Sequence, residues 1–137
     1  MGFLAMSGIL LSSPLWAADL RDVQSGEEVY AKCIACHSPD RNRTGPLHCG
    51  VVDRISGTVE GYAYSNAMRG AAVTWTVAAL DRFLAAPLDV IPETSMGFAG
   101  ISDATERRQL IAWLATLTPA SSHCDGVELE QMGDRHD

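Results

Sequence analysis

Residues 31–46 read AKCIACHSPDRNRTGP, which sets Cys33 and Cys36 three positions apart with His37 directly after the second. Three chemistries use that spacing: a redox dithiol, a zinc knuckle and covalent haem attachment. A redox dithiol of this kind sits at the start of a helix beside a parallel sheet, and a structural zinc site pairs two ligand dyads. In haem attachment the two thiols add to vinyl groups as thioethers, and the adjacent imidazole binds the iron. The five residues alone leave all three open, so the surrounding chain has to decide.

Upstream, residues 19–33 place Val23, Gly26, Val29, Tyr30 and Cys33 at helical spacings among acids and Gln24, which predicts a first helix. Downstream, from His37 to Tyr64, the chain is rich in Gly, Pro, Ser, Asn and Arg with little periodicity, and reads as one long loop region. A loop of that length inside a small domain is unusual unless it wraps something. Short helices are predicted over 65–69 and 76–85, the second with Val77, Leu80, Phe83 and Leu84 on one face and Pro87 as its stop. After an irregular stretch, Asp103 is placed to cap a last helix, with Glu106 at the capping-box spacing and Leu110, Trp113, Leu114 and Leu117 as its apolar stripe. No strand alternation and no repeat appears. The fold class is therefore all-α, with few helices and long loops; it lacks the sheet a redox dithiol needs, and without the second dyad that zinc sites usually have, zinc stays open but is a poor match.

A chain of 137 residues, 47% of them hydrophobic, has room for one domain with a real core. Its formal charge of −7, with Lys32 the only lysine, excludes nucleic acid as a partner and points to a charged protein partner instead. The first seventeen residues, MGFLAMSGILLSSPLWA, carry no charge, and their apolar run is too short to span a bilayer. Pro14 breaks that run, and Leu15 and Ala17 stand at the −3 and −1 positions of a cleavage site before Ala18. Residues 1–17 are thus expected to be a signal peptide, with export to the periplasm, an oxidising compartment. Residues 18–120 are expected to form the domain, and the acidic C-terminal tail, 121–137, reads as too polar to contribute to a core.

Over residues 26–117 the chain resembles the class I monohaem cytochromes c of the mitochondrial and soluble bacterial type. Six stretches in order carry the resemblance: CIACH, TGPLHCGVV, GYAYSNAM, TW, IPETSMGFAG and ERRQLIAWL. It implies the cytochrome c fold, a few helices and long loops around one haem c bonded covalently to Cys33 and Cys36. It further implies His37 and Met96 as the two iron ligands, and the Pro46 carbonyl as the acceptor that fixes the His37 ring. Tyr64, Trp75 and Thr94 would cover the haem propionates, with the basic residue Arg54 nearby. Gly26 and Tyr30 would meet Trp113 and Leu114 where the first and last helices cross.

With both axial positions filled, the resemblance implies an electron carrier and no enzyme. The expected role is to shuttle single electrons in the periplasm between respiratory or photosynthetic redox proteins that dock transiently at the haem edge. The alternative is a dedicated haem subunit of a periplasmic dehydrogenase. A peroxidase or gas sensor would need a labile Met96. A monomer without stable membrane insertion is expected.

Several positions depart from the family pattern. Glu93 and Asp53 stand where glycine is usual, Phe83 replaces a frequent tyrosine, and the docking lysines of the mitochondrial forms are absent. His48, His123 and His136 have no ligand spacing and read as surface or loop histidines. On Cys49 and Cys124 the family is silent. Export and an even cysteine count lead us to expect a disulfide between them.

Overall fold

Gly26 determines how the two ends of the chain meet. In the computed structural model, which describes residues 15–135, helix α1 (Leu15–Val29) crosses helix α5 (Ala104–Ala115) at this point. A Cβ at Gly26 would strike the carbonyl of Gln109 and the Cβ of Trp113, so the helices approach to backbone contact. Just beyond α1 a tight 3-10 turn, Tyr30–Lys32, brings the Tyr30 ring 4.2 Å from that of Trp113. Leu110, Trp113, Leu114 and, past the helix end, Leu117 are all buried, as the stripe predicted. Each such side chain contributes about 1.5–3 kcal/mol through the apolar surface it removes from water.

The start of α5 follows the sequence in one half and departs from it in the other. Asp103 Oδ1 accepts from the backbone N–H of Thr105 at 2.7 Å and of Glu106 at 2.9 Å, a side-chain cap on donors the helix itself leaves free. Glu106 does not complete a capping box. Its carboxylate accepts from Lys32 Nζ instead, which ties the turn after α1 to the first turn of α5.

Helix α2 (Asn66–Gly70) is capped by Ser65, and α3 (Val77–Ala85) by Thr76. The apolar face of α3 buries Ala79, Leu80, Phe83 and Leu84. Pro87 does more than stop α3. It opens the single turn α4 (Pro87–Val90), at a position where its missing N–H costs no hydrogen bond. Among the described residues extended pairing is limited to two isolated bridges, Ile55 with Thr74 and Arg54 with Arg135, so the fold is all-α.

The C-terminal segment corrects an expectation. Residues 121–135 pack onto the domain through the 3-10 turns Ser122–Cys124 and Leu129–Met132, with Cys124 2% and Met132 1% exposed. Its many polar side chains stay at the surface while these two reach inward. The backbone also contributes, because Ile55 N–H donates to Asp134 O at 2.8 Å and Arg135 reaches the carbonyls of Gly50 and Val52. Average polarity hid a segment that needs only two inward residues. Cys49 and Cys124 face each other with Cα atoms 5.8 Å apart, within the span of a disulfide. The expected leader lies outside the described residues apart from positions 15–17, which open α1, and His136 lies outside them too.

Candidate functional site

The long loops enclose a cleft of about 360 Å³, and all eight residues predicted from the sequence line it: Cys33, Cys36, His37, Pro46, Tyr64, Trp75, Thr94 and Met96. The turn after α1 places the first three, since the backbone N–H groups of Cys36 and His37 both donate to Cys33 O. Both thiols are unpaired, and burial above all pushes that of Cys33 up to about 11, so it stays protonated at neutral pH. His37 is 8% exposed and donates from Nδ1 to Pro46 O at 2.8 Å. That bond assigns the proton to Nδ1 and leaves the lone pair of Nε2 free for a metal. Burial, first, then the cations Arg54 and Arg43, lower the His37 pKa against the opposing pull of Pro46, which keeps the ring in its neutral, ligating form.

The loop that presents Pro46 is pinned at several points. Gly45 N–H donates to Cys36 O at 2.8 Å, Arg43 Nη1 to Ile34 O at 2.6 Å, and Leu47 N–H to Asn42 Oδ1 at 3.0 Å. Across the cleft, Thr94 N–H donates to Ile91 O, and the Thr94 hydroxyl in turn accepts from Met96 N–H at 3.4 Å. Trp75 is buried, with its ring 4.8 Å from Phe83, and its backbone N–H donates to Arg54 O at 2.8 Å. Tyr64 meets Tyr62 edge-on at 4.6 Å.

Arg54 is the most telling group in the cleft. Its guanidinium is 3% exposed and donates to three carbonyls, those of Leu47 at 3.1 Å, Cys49 at 3.2 Å and Met132 at 3.3 Å. Among the described residues no carboxylate pairs with it. Burial lowers its pKa to about 10, yet it remains a cation at neutral pH. A buried cation without an anion is costly, so the cleft is built for a ligand that brings negative charge.

No family model matches the chain. Cytochrome c2 of Blastochloris viridis is 37% identical over 108 residues, which cover 77% of this chain and 85% of that protein. Cytochrome c of Euglena viridis is 42% identical over 99 residues, covering 70% and 97%. This chain belongs to the cytochrome c family. The solved structure of cytochrome cH from Methylobacterium extorquens agrees, with a TM-score of 0.68 at 41% identity over 69% of this chain and 98% of that one. As a cytochrome c, the chain is an electron carrier rather than an enzyme, and its cofactor is one covalently bound haem c. The residues present fit that group: two free thiols, a neutral imidazole with an open nitrogen, a thioether, and a buried cation awaiting a carboxylate.

Two departures of this cytochrome c from its family fall on left-handed backbone. Asp53 and Glu93 both adopt φ of +65°, the left-handed conformation that glycine takes without strain. His48 lies in a loop, as one half of its sequence reading had it, and the other half is corrected. His48 is not a surface histidine, because its ring stacks on that of His37 with centroids 4.1 Å apart and planes 20° apart. Its Nδ1 lies 3.1 Å from the hydroxyl of Tyr30. Burial raises the Tyr30 pKa, so this hydroxyl keeps its proton and donates. Burial, then His37 and Arg54, hold His48 well below the usual histidine range, and it is neutral. Only its nearness to Pro46, two residues away, pointed to this place in the sequence. His123, exposed near Glu27, does lie at the surface.

Proposed function

We propose that this cytochrome c is a periplasmic single-electron carrier whose haem is bonded to Cys33 and Cys36 and held between His37 and Met96. The observation that carries the reading is the His37–Pro46 bond, which frees Nε2 toward the cleft that Met96 also lines. A haem bound there supplies a one-electron iron couple. Met96, a soft thioether donor, favours the ferrous state more than a second histidine would and so raises the reduction potential. With the His37 imidazole and the Met96 thioether both holding the iron, no ligand position would be left for a small substrate. Arg54, with Tyr64, Trp75 and Thr94 lining the same cleft, would neutralise and cover the propionates. We further assign residues 1–17 to an export signal and Cys49 and Cys124 to a disulfide formed after export. Among the described residues no helix is long and apolar enough to cross a membrane.

Replacing Met96 by alanine tests the axial pair. The variant is expected to lose the near-infrared sulfur-to-iron band, to bind carbon monoxide and to have a lower potential. A variant that keeps the band and excludes carbon monoxide would refute Met96 as the ligand. Extraction of the pigment by acidified acetone would refute attachment through Cys33 and Cys36.

A further inference from the structure

His48 takes no part in attaching a haem or in binding its iron, yet it is held with unusual care. Its backbone N–H donates to Pro39 O at 3.1 Å, and the next residue, Cys49, donates to the same carbonyl at 2.8 Å. Its side chain is fixed from the other end by the Tyr30 hydroxyl at 3.1 Å, with the two rings edge to face at 5.6 Å. Tyr30 is itself wedged 4.2 Å from Trp113 of α5. A continuous series of packed rings therefore runs from the last helix through Trp113, Tyr30 and His48 to His37.

The hydrogen bond from His37 to Pro46 fixes one ring atom, and a swing of the ring about that contact is limited on one side by the backbone of Gly45, where a Cβ would strike three atoms of the ring. A flat, anchored ring 4.1 Å away and 20° inclined opposes that swing, because tilting the His37 plane drives its edge into His48. The orientation of an axial imidazole sets which iron orbital it overlaps, so a ring that fixes this orientation acts on the iron through its ligand.

We infer that His48 is a positioning residue that, anchored by Tyr30, sets the plane of the His37 imidazole on the haem iron. The inference rests on the axial assignment above. The polar ring of His48 also stabilises the ferric charge shared by His37 better than an aliphatic side chain would, which lowers the reduction potential.

The test uses the ferric and ferrous holoprotein and its His48→Ala, His48→Phe and Tyr30→Phe variants. It reads the hyperfine-shifted haem methyl resonances, which report the imidazole plane, and the midpoint potential. His48→Ala should rearrange the methyl pattern and raise the potential while keeping the near-infrared sulfur-to-iron band. His48→Phe should restore the wild-type methyl pattern, because a ring is again stacked on His37, but not the potential. Tyr30→Phe should move the pattern partway toward that of His48→Ala. A wild-type pattern in both His48→Ala and Tyr30→Phe would overturn the proposal, as would a His48→Phe pattern equal to that of His48→Ala. If His48→Ala yields no folded holoprotein, Tyr30→Phe decides alone, an altered pattern supporting the proposal and an unaltered one overturning it. A wild-type protein without an imidazole-bound iron would instead bring down the axial assignment and the inference together.

Discussion

The Arg54 guanidinium donates to the carbonyl of Met132, 78 residues further along the chain, so the C-terminal segment forms part of the wall that holds the buried cation. Met132 is 1% exposed and rests against the same loop. Met132→Ala is therefore expected to destabilise the holoprotein by about 2–5 kcal/mol, the range for truncating a fully buried side chain. Denaturant melts check this, and a loss below about 0.5 kcal/mol, typical of a surface site, would contradict the packing described.

The proposed Cys49–Cys124 bond would close a loop of 75 residues. In the chain-entropy model such a closure stabilises the native state by about 4 kcal/mol, less any strain. The double variant Cys49→Ala/Cys124→Ala should melt earlier by a corresponding amount, and unreduced wild-type holoprotein, its other two cysteines bonded to haem, should titrate no free thiol in denaturant. Two reactive thiols would remove the bond.

Glu93 holds φ of +65° beside the loop that presents Met96. A left-handed residue with a side chain costs about 1–2 kcal/mol, whereas glycine adds roughly 0.5–1 kcal/mol of unfolded-state entropy. The first term wins, so Glu93→Gly should stabilise by about 0.5–1 kcal/mol. A lower melting midpoint in the variant would show that the carboxylate supports the loop.

What could be read in advance was local. The cluster from Cys33 to His37, the Asp103 cap and the stripe from Leu110 to Leu117 each depend on residues within a turn or two, and the structure keeps them all. What could not be read was decided by distant partners. Glu106 had the spacing of a capping box, but Lys32, 74 residues earlier, claims its carboxylate. The place of His48 depends on how the loop between His37 and Pro46 closes, and Met132 is a single inward methionine in a stretch whose average is polar. Neither leaves a periodic trace.

The net charge of −7 and the exposed Asp89 and Glu93 on the stretch leading to Met96 predict how charged reagents exchange electrons with this protein. Attraction to an acidic surface fades beyond a Debye length of about 10 Å at 0.1 M salt. Reduction by the cation hexaammineruthenium should slow as salt is raised, and oxidation by the anion ferricyanide should quicken. Asp89→Lys/Glu93→Lys should flatten both slopes; slopes unchanged in the variant would place the exchange site elsewhere.

The proposed bond between Cys49 and Cys124 would also change what a broken chain is. A protease that cuts after the exposed Arg69 would separate the fragment bearing His37 from the fragment bearing Met96. With the sulfurs joined, the two pieces remain one covalent molecule, in which both iron ligands stay within reach of each other. Such a nicked cytochrome would run as a single species until reductant was added, and damage to its backbone would go unnoticed by any assay that follows colour.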